Sequence, residues 1–488
     1  MDQSGRKLAE FKTWHKPNME TLQRTANRGS ISTGYDIDNS CKFEDDNDEW
    51  LYRTNVSGTN TKTWTVSWWF KQTELRSVNG AATEHWQGGA YGEATRAGIF
   101  ADDRIWIDIG GGDGNTGTLF RSLSTARLRD ISAWYHVVIA CDSTQSTEAN
   151  RLKVWLNGVE VTTWDQHQIP TLNFASALAG FGGITMKWGS YDATYHGYSG
   201  YLAECNYVDG VTATQNDFGE FDDDSGIWKP KKYTGSYGTN GSYLDFEIAS
   251  DLGANAKGND TNFSLNNITA ADQATDTPTN NFATLNPLIY DINSGDDESY
   301  VCFNGATSIA SSKNAYAQNY ATIGLNIANG GKWYFEWTAT SHANGSSSEG
   351  LCGLSFDTQW DSGVNSTGVY NAGYAFYAAG FGHGEGYSTN VVNGLLIDLD
   401  NNKVKWYRNG TLHVTMPDDG GGSTMQTTGY AFPYIAPYGS GYTINVNFGG
   451  FTAQTISSGN TDPDGYGNFE YATQGGYAIC TKNLEEYG

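Results

Sequence analysis

Two Asn-Gly dipeptides constrain this chain more than any other feature. Asn157-Gly158 stands between Leu152-Lys153-Val154-Trp155-Leu156 and Val159-Glu160-Val161. Asn409-Gly410 stands between Lys403-Val404-Lys405-Trp406-Tyr407 and Leu412-His413-Val414. Asn-Gly between strand-forming runs is the strongest short hairpin signal. A type I′ turn needs positive φ at both central residues, and Asn and Gly tolerate it. Each dipeptide therefore predicts an antiparallel pair, one in each half of the chain. The halves echo each other faintly, Lys153-Val154-Trp155-Leu156-Asn157-Gly158-Val159 against Val404-Lys405-Trp406-Tyr407-Arg408-Asn409-Gly410, as two similar hairpins rather than a duplication.

Further strand patterns fill both halves. Thr63-Trp64-Thr65-Val66-Ser67-Trp68-Trp69-Phe70 alternates and ends apolar on both faces, which predicts a central strand. Ile105-Trp106-Ile107-Asp108-Ile109 follows an acidic hairpin tip at Asp102-Asp103, and Trp134 to Ala140 is another inner strand. Lys332 to Trp337, Leu351 to Phe356, Leu395 to Asp400, Phe432 to Pro437 and Ile444 to Gly449 continue the pattern. With 60 Gly as punctuation and few helical periods, the chain reads as all-β. At 488 residues it exceeds one comfortable core. The expected architecture is two antiparallel β-sandwiches with a short N-terminal arm.

The stretch from Tyr198 to Phe246 organises that division. Tyr201 to Val208 reads as the last strand of the first sandwich, and Asp209-Gly210 stops it. An acidic run at Asp222-Asp223-Asp224, expected to stay out of the core, leads to Trp228-Lys229-Pro230 and an ordered strap. The expected domains are an arm over 1–30, a sandwich with its strap over 31–246, an irregular connector over 247–300, a second sandwich over 301–450 and a tail over 451–488. The connector should pack on the domains, because Phe263, Leu265, Phe282 and Leu285 need burial.

The same stretch carries a family resemblance. GYLAECNYVDG, then DFGEFDDDSGIWKPKKYTGSYGTNGSYLDF, resembles the end of the laminin-G-like (concanavalin-type lectin) domains in structural proteins of marine bacteriophages. It extends back through SAWYHVVIACDSTQSTEANRLKVWLNGVEV and forward through DTPTNNFATLNP. GKWYFEW, GLLIDLDNNKVKWYRNGTL, FPYIAPYG and INVNFG resemble successive blocks of a SPRY domain, in order. The resemblance covers residues 31 to 450. It implies a concanavalin-like jelly roll followed by a SPRY-like sandwich, in a tail-fibre-like virion subunit that contacts the host surface through glycans. It also implies a homo-oligomer, a trimer being the expected form.

Charge and cysteines narrow the function classes. The formal net charge of −25 argues against nucleic acid as a partner, since phosphates would be repelled. No apolar run is long enough to insert in a membrane. The six cysteines have no zinc spacing, and Cys141, Cys205 and Cys352 sit in strand-like surroundings as free buried thiols. That suits assembly in a reducing host cytoplasm. Residues 1–29 hold six basic side chains against three acidic ones. With Arg6, Lys7, Phe11 and Trp14 they read as an arm that orders on another virion protein.

Three kinds of site are suggested. Glu44, Asp46 and Glu49 have the Glu-x-Asp-x-x-Glu spacing of concanavalin-fold glycosidases, but their unbroken acidic context reads as a solvated turn. Asp102 and Asp103, or the Asp222 to Asp224 run, could bind calcium through oxygen, and no other cofactor is implied. Glycan recognition stacks aromatic rings on sugars beside short polar side chains. Trp188, Tyr191, Asp192, Tyr195 and His196 form one such cluster, and Trp360, Asp361, Tyr370, His383 and Tyr387 form another, which is the preferred one. The reading is a non-enzymatic appendage subunit. The alternatives are a purely structural capsid decoration or head fibre, and a glycan-degrading enzyme.

Overall fold

The computed structural model describes residues 34–56, 60–75, 82–89, 94–111, 118–178, 183–189, 197–223, 225–257, 261–288, 300–311, 319–341, 350–356, 375–377, 391–416, 418, 427–437 and 442–488. The chain is all-β, as its sequence pattern predicts, and Thr481–Tyr487 is the one α-helix among the described residues.

One sheet of the first sandwich runs, in spatial order, Val159–Glu160, Leu152–Leu156, Tyr135–Asp142, Thr63–Gln72, Gly200–Asp209, Ser40–Phe43 and Gln273–Ala274. Ser242–Leu244 also pairs with Gly200–Asp209. The other sheet runs Trp164–His167, Leu119–Arg127, Arg104–Gly110, Thr95–Ile99, Thr83–Gly88, Thr185–Trp188, Trp50–Thr54 and Ser264–Asn266. The alternation in Thr63–Gln72 has the expected consequence. Trp64, Val66, Trp68 and Phe70 enter the core between the sheets with Trp86, Ile107 and Leu202. Thr65, Ser67, Trp69 and Lys71 fall on the opposite face, which is buried as well.

Two later segments cover that outer face. Thr65 Oγ1 donates to the Val211 carbonyl at 3.1 Å and accepts from the Ala213 amide at 2.9 Å. Trp228 of the strap donates its indole N–H to His136 at 2.9 Å, and His136 stacks on Trp69 with centroids 4.6 Å apart. Lys71 spends its three ammonium donors on Asp276 at 2.7 Å, Asn281 at 2.7 Å and the Phe282 carbonyl at 2.9 Å. The strap is therefore ordered across the sheet. The acidic run within it departs from expectation: Asp222 is buried, because Lys229 at 3.3 Å and the Ser225 hydroxyl at 2.9 Å satisfy its carboxylate.

In the second sandwich one sheet runs Tyr300–Phe303, Ser308–Ser311, Tyr442–Asn447, Lys332–Ser341, Asn393–Asp398, Lys403–Arg408 and Thr411–Met416. The other runs Asn319–Tyr320, Tyr430–Pro437, Gly350–Phe356 and Ala375–Tyr377, with Leu325–Asn326 also on Tyr430–Pro437. Trp333, Phe335, Trp337, Cys352, Leu395, Trp406 and Val446 lie in the core between them. Both Asn-Gly turns have positive φ at both residues, 46° and 78° at Asn157 and Gly158, 45° and 74° at Asn409 and Gly410. That is the type I′ signature.

The segments read as connector and tail are built into the sandwiches. Ser264–Asn266 and Gln273–Ala274 are strands of the first. Phe263, Phe282 and Leu285 are buried, and Leu265 packs half-buried on the first core. Residues 451–488 are no loose tail. Tyr477–Ala478 pairs in parallel with Trp333–Tyr334 of the central strand, and Phe469 and Cys480 are fully buried. All six cysteines are free, five of them buried and Cys302 partly exposed.

Candidate ligand-binding cleft

The two sandwiches meet along a polar seam, and the seam opens into a cleft of about 610 Å³. Its floor on the first sandwich begins with Ser40–Phe43. Cys41 and Phe43 face the core, so alternation turns Lys42 toward the seam. The chain then makes a 3-10 turn at Asp45–Asn47, passes Asp48 at φ 55°, and returns Glu49 to the same place. A capping box supplies the third charge: Asp272 accepts from the Thr269 amide at 2.8 Å and from its hydroxyl at 3.1 Å. Lys42 Nζ bonds both oxygens of Glu49 at 2.9 Å and Asp272 Oδ1 at 2.9 Å.

The second sandwich contributes the other wall, from Asn447 at the end of a strand to Ile456. One buried carboxylate organises it. Glu336 accepts from Asn447 Nδ2 at 3.3 Å, Gln454 Nε2 at 3.2 Å and the amides of Glu470 and Tyr471 at 2.9 Å. Gly449, with φ 109°, and Gly450 let this chain pass against the connector. A Cβ on Gly450 would stand 2.7 Å from the Phe282 side chain. The Thr275 amide donates to the Gly450 carbonyl at 2.8 Å and closes the seam. Phe451 follows, half-buried, edge-on to Tyr201 at 5.9 Å and beneath Lys42 Nζ at 5.7 Å.

Burial sets the electrostatics. It pushes the Glu49 carboxyl up to about 7, against the pull of Lys42. Burial also works against the Lys42 charge, but Glu49 and Asp272 outweigh it and hold the ammonium above its ordinary value. Burial likewise raises Glu336, opposed by its backbone donors. The remaining lining is amide, hydroxyl and small apolar: Asn304, Asn447, Gln454, Thr452, Ala270 and Ala274 among others. Such a surface exchanges hydrogen bonds with hydroxyl groups and offers one aromatic face.

The residues singled out from sequence fare differently. Trp188 is not a stacking platform. It is fully buried in the first core, 6.2 Å from the Trp68 ring, because Met186 and Trp188 share the inward face of Thr185–Trp188. Tyr191, Asp192, Tyr195 and His196 lie outside the described residues, as do Trp360, Asp361, Tyr370, His383 and Tyr387 and the arm residues Arg6, Lys7, Phe11 and Trp14. Asp102 pairs with Arg104 at 2.7 Å and Arg127 at 3.2 Å, and buried Asp103 pairs with Arg129 at 2.8 Å. Guanidinium groups stand where a calcium ion was considered.

The acidic run at 44–49 is not a solvated turn throughout. Asp46 is exposed, but Glu44 and Glu49 are buried. Glu44 accepts from Ser199 at 3.2 Å and the Gly305 amide at 3.3 Å, and Glu49 is held by Lys42. The two buried carboxylates are thus spent on separate partners, while Asp46 faces outward. A Ser67–His136 contact of 2.8 Å also lacks the polarity of a nucleophile and base. Trp228 donates to Nδ1, so the imidazole proton sits on Nε2 and points at the serine.

No protein-family model matches the chain, and no curated protein matches it. Among solved structures it is similar to a native heptameric SAP-like pentraxin from Limulus polyphemus, at 14% identity over 38% of this chain and 82% of that one, TM-score 0.27. It is similar to the SPRY domain of human HERC1, at 11% identity over 30% of this chain and 92% of that one, TM-score 0.23. A putative carbohydrate binding protein from Bacteroides ovatus matches at 15% identity over 49% of this chain and 60% of its own length, TM-score 0.33. Each likeness covers less than half of this chain.

Proposed function

We propose that this chain is a non-catalytic appendage subunit of a bacteriophage particle that binds carbohydrate in the cleft between its sandwiches. The cleft carries the proposal. Its size suits a small ligand, and its amide and hydroxyl walls with one aromatic face match the chemistry of a sugar. All four oxygens of the two carboxylates at its floor are engaged, by Lys42 or by Thr269, which favours holding a ligand over proton transfer. The virion setting rests on the sequence resemblance. In that setting residues 1–29 join other virion proteins, and a trimer would let weak sites act together.

Titration calorimetry after a glycan-array screen tests the site. The intact chain should bind at least one oligosaccharide, and Phe451→Ala should weaken it several-fold with the melting curve retained. Absence of glycan binding by the intact chain would overturn the reading and favour a purely structural role. Particles assembled with a chain lacking residues 1–29 should lose this protein, as judged by antibody labelling in the electron microscope.

A further inference from the structure

The charge plan of the cleft bears on which carbohydrates it can take, an argument that rests on the carbohydrate reading above. Lys42, Glu49 and Asp272 are the ionisable side chains in its lining. An ammonium group has three donors. Those of Lys42 meet three carboxylate oxygens, two on Glu49 and one on Asp272, all at 2.9 Å. The side chain is 3% exposed, so it cannot swing out to meet a ligand without breaking a buried ion pair. Among the described residues the only cation in the lining is thus spent within the wall, and above pH 7 two carboxylates against one ammonium leave the floor with surplus negative charge.

The opposite wall is neutral and has a vacant acceptor. Ionised, Glu336 can only accept, so it fixes the Gln454 amide with Nε2 toward it at 3.2 Å. That orientation leaves Gln454 Oε1 buried and unpartnered in a residue that lines the cleft and is 7% exposed. A buried carbonyl without a donor is costly, and a ligand hydroxyl is the group that would relieve it. Asn447 offers no such vacancy, since its Nδ2 serves Glu336 and the Asn468 carbonyl and its Oδ1 takes the Gly449 amide at 2.9 Å.

We infer that the cleft selects neutral, hydroxyl-rich saccharides and rejects anionic ones, with the Lys42 clamp as the discriminating device and Gln454 as the hydroxyl-binding contact. A sulfate, phosphate or uronate would find no free cation there and would meet Glu49 and Asp272 across a largely buried floor. Neutral rings meet amides, hydroxyls and Phe451. The overall charge of the chain acts in the same direction at longer range.

The test compares two panels by calorimetry on the full chain at pH 8 and moderate salt. One holds neutral glucose, mannose and N-acetylglucosamine hexasaccharides, the other guluronate and sulfated galactose hexasaccharides. Some neutral member should bind, and every anionic member should bind at least about tenfold more weakly. Gln454→Leu should weaken the neutral ligand roughly threefold to tenfold. Glu49→Gln should narrow the gap by giving Lys42 a spare donor. Anionic binding equal to or tighter than neutral binding overturns this inference while leaving carbohydrate binding intact. Unchanged neutral affinity in folded Gln454→Leu removes Gln454 from the site. Absence of binding by both panels overturns the carbohydrate reading itself.

Discussion

At the scale of single residues, His136 shows how the strap is locked down. It is 1% exposed, stacked 4.6 Å from Trp69 and 6.0 Å from Trp228, and bonded at both ring nitrogens. Burial lowers its pKa to about 3. The unfolded value is about 6.5, so folding favours the neutral ring. The stability from this group is full above pH 6.5 and falls as pH drops toward 3, at about 1.4 kcal/mol per unit and roughly 5 kcal/mol in all. Glu49, Glu84 and Glu204, each raised by burial to about 7, act oppositely: their protonation favours the folded state, and that gain is lost as pH rises through 7. His136→Gln isolates the histidine, because an amide can bond Trp228 and Ser67 without titrating. Urea midpoints at pH 8, 6, 5 and 4 should fall less steeply with acid in the variant. Parallel slopes would mean that His136 does not titrate with unfolding.

At the scale of elements, hairpins and seams divide what the sequence made legible. The Asn-Gly turns were readable because positive φ at two successive residues leaves few residue choices. What Gly158 packs against was not: a Cβ there would stand 2.2 Å from the Trp228 ring, 70 positions further on. Gly158→Ala should therefore cost about 2 kcal/mol or more from strained φ and overpacking, seen as a lower melting midpoint with near-ultraviolet change in the strap tryptophan. The glycines around Trp188 suggest an exposed position for it, while the two-residue period of Met186 and Trp188 carries the better signal. The cleft was largely hidden. Lys42 and Asp272 lie more than 200 positions apart and Glu336 and Gln454 more than 100, though Lys42, Lys71 and Glu336, charged residues inside strand patterns, were visible marks of buried pairing. Lys71 and Asp276 form such a pair at 2.7 Å, 0% and 1% exposed. Asp276→Asn or Lys71→Met alone should cost about 3–5 kcal/mol, and Lys71→Met with Asp276→Leu should recover much of it. A double variant no better than the singles would show that the node's hydrogen bonds to Asn281 and Trp134 matter more than its charge.

At the scale of the molecule, the question is whether two sandwiches behave as two domains. The sequence divides cleanly near 246, and the chemistry of the cleft needs both sides held in place. The structure binds them by exchange. The connector gives Gln273–Ala274 to the first sandwich, and its next residues pair with the C-terminal segment, the Thr481 amide on the Asn281 carbonyl and the Ala283 amide on the Ile479 carbonyl, both at 2.9 Å. That same segment gives Tyr477–Ala478 to the central strand of the second sandwich. Residues 451–488 thus pair with the connector and the second sandwich at once, and they carry two donors to Glu336 that shape the cleft wall. Removing them should unpair one edge of Trp333–Tyr334, strip Glu336 of its two backbone amides and of Gln454, and expose Phe282. The intact chain should melt in one calorimetric transition with matching van't Hoff enthalpy, since neither sandwich can open without breaking the seam. A chain ending at residue 450 should lose the second sandwich's transition or melt it well below the first, and should bind hydrophobic dye. Two independent transitions in the intact chain, or an unchanged melt in the shortened one, would mean that the sandwiches are joined only in series and that the cleft opens and closes between them.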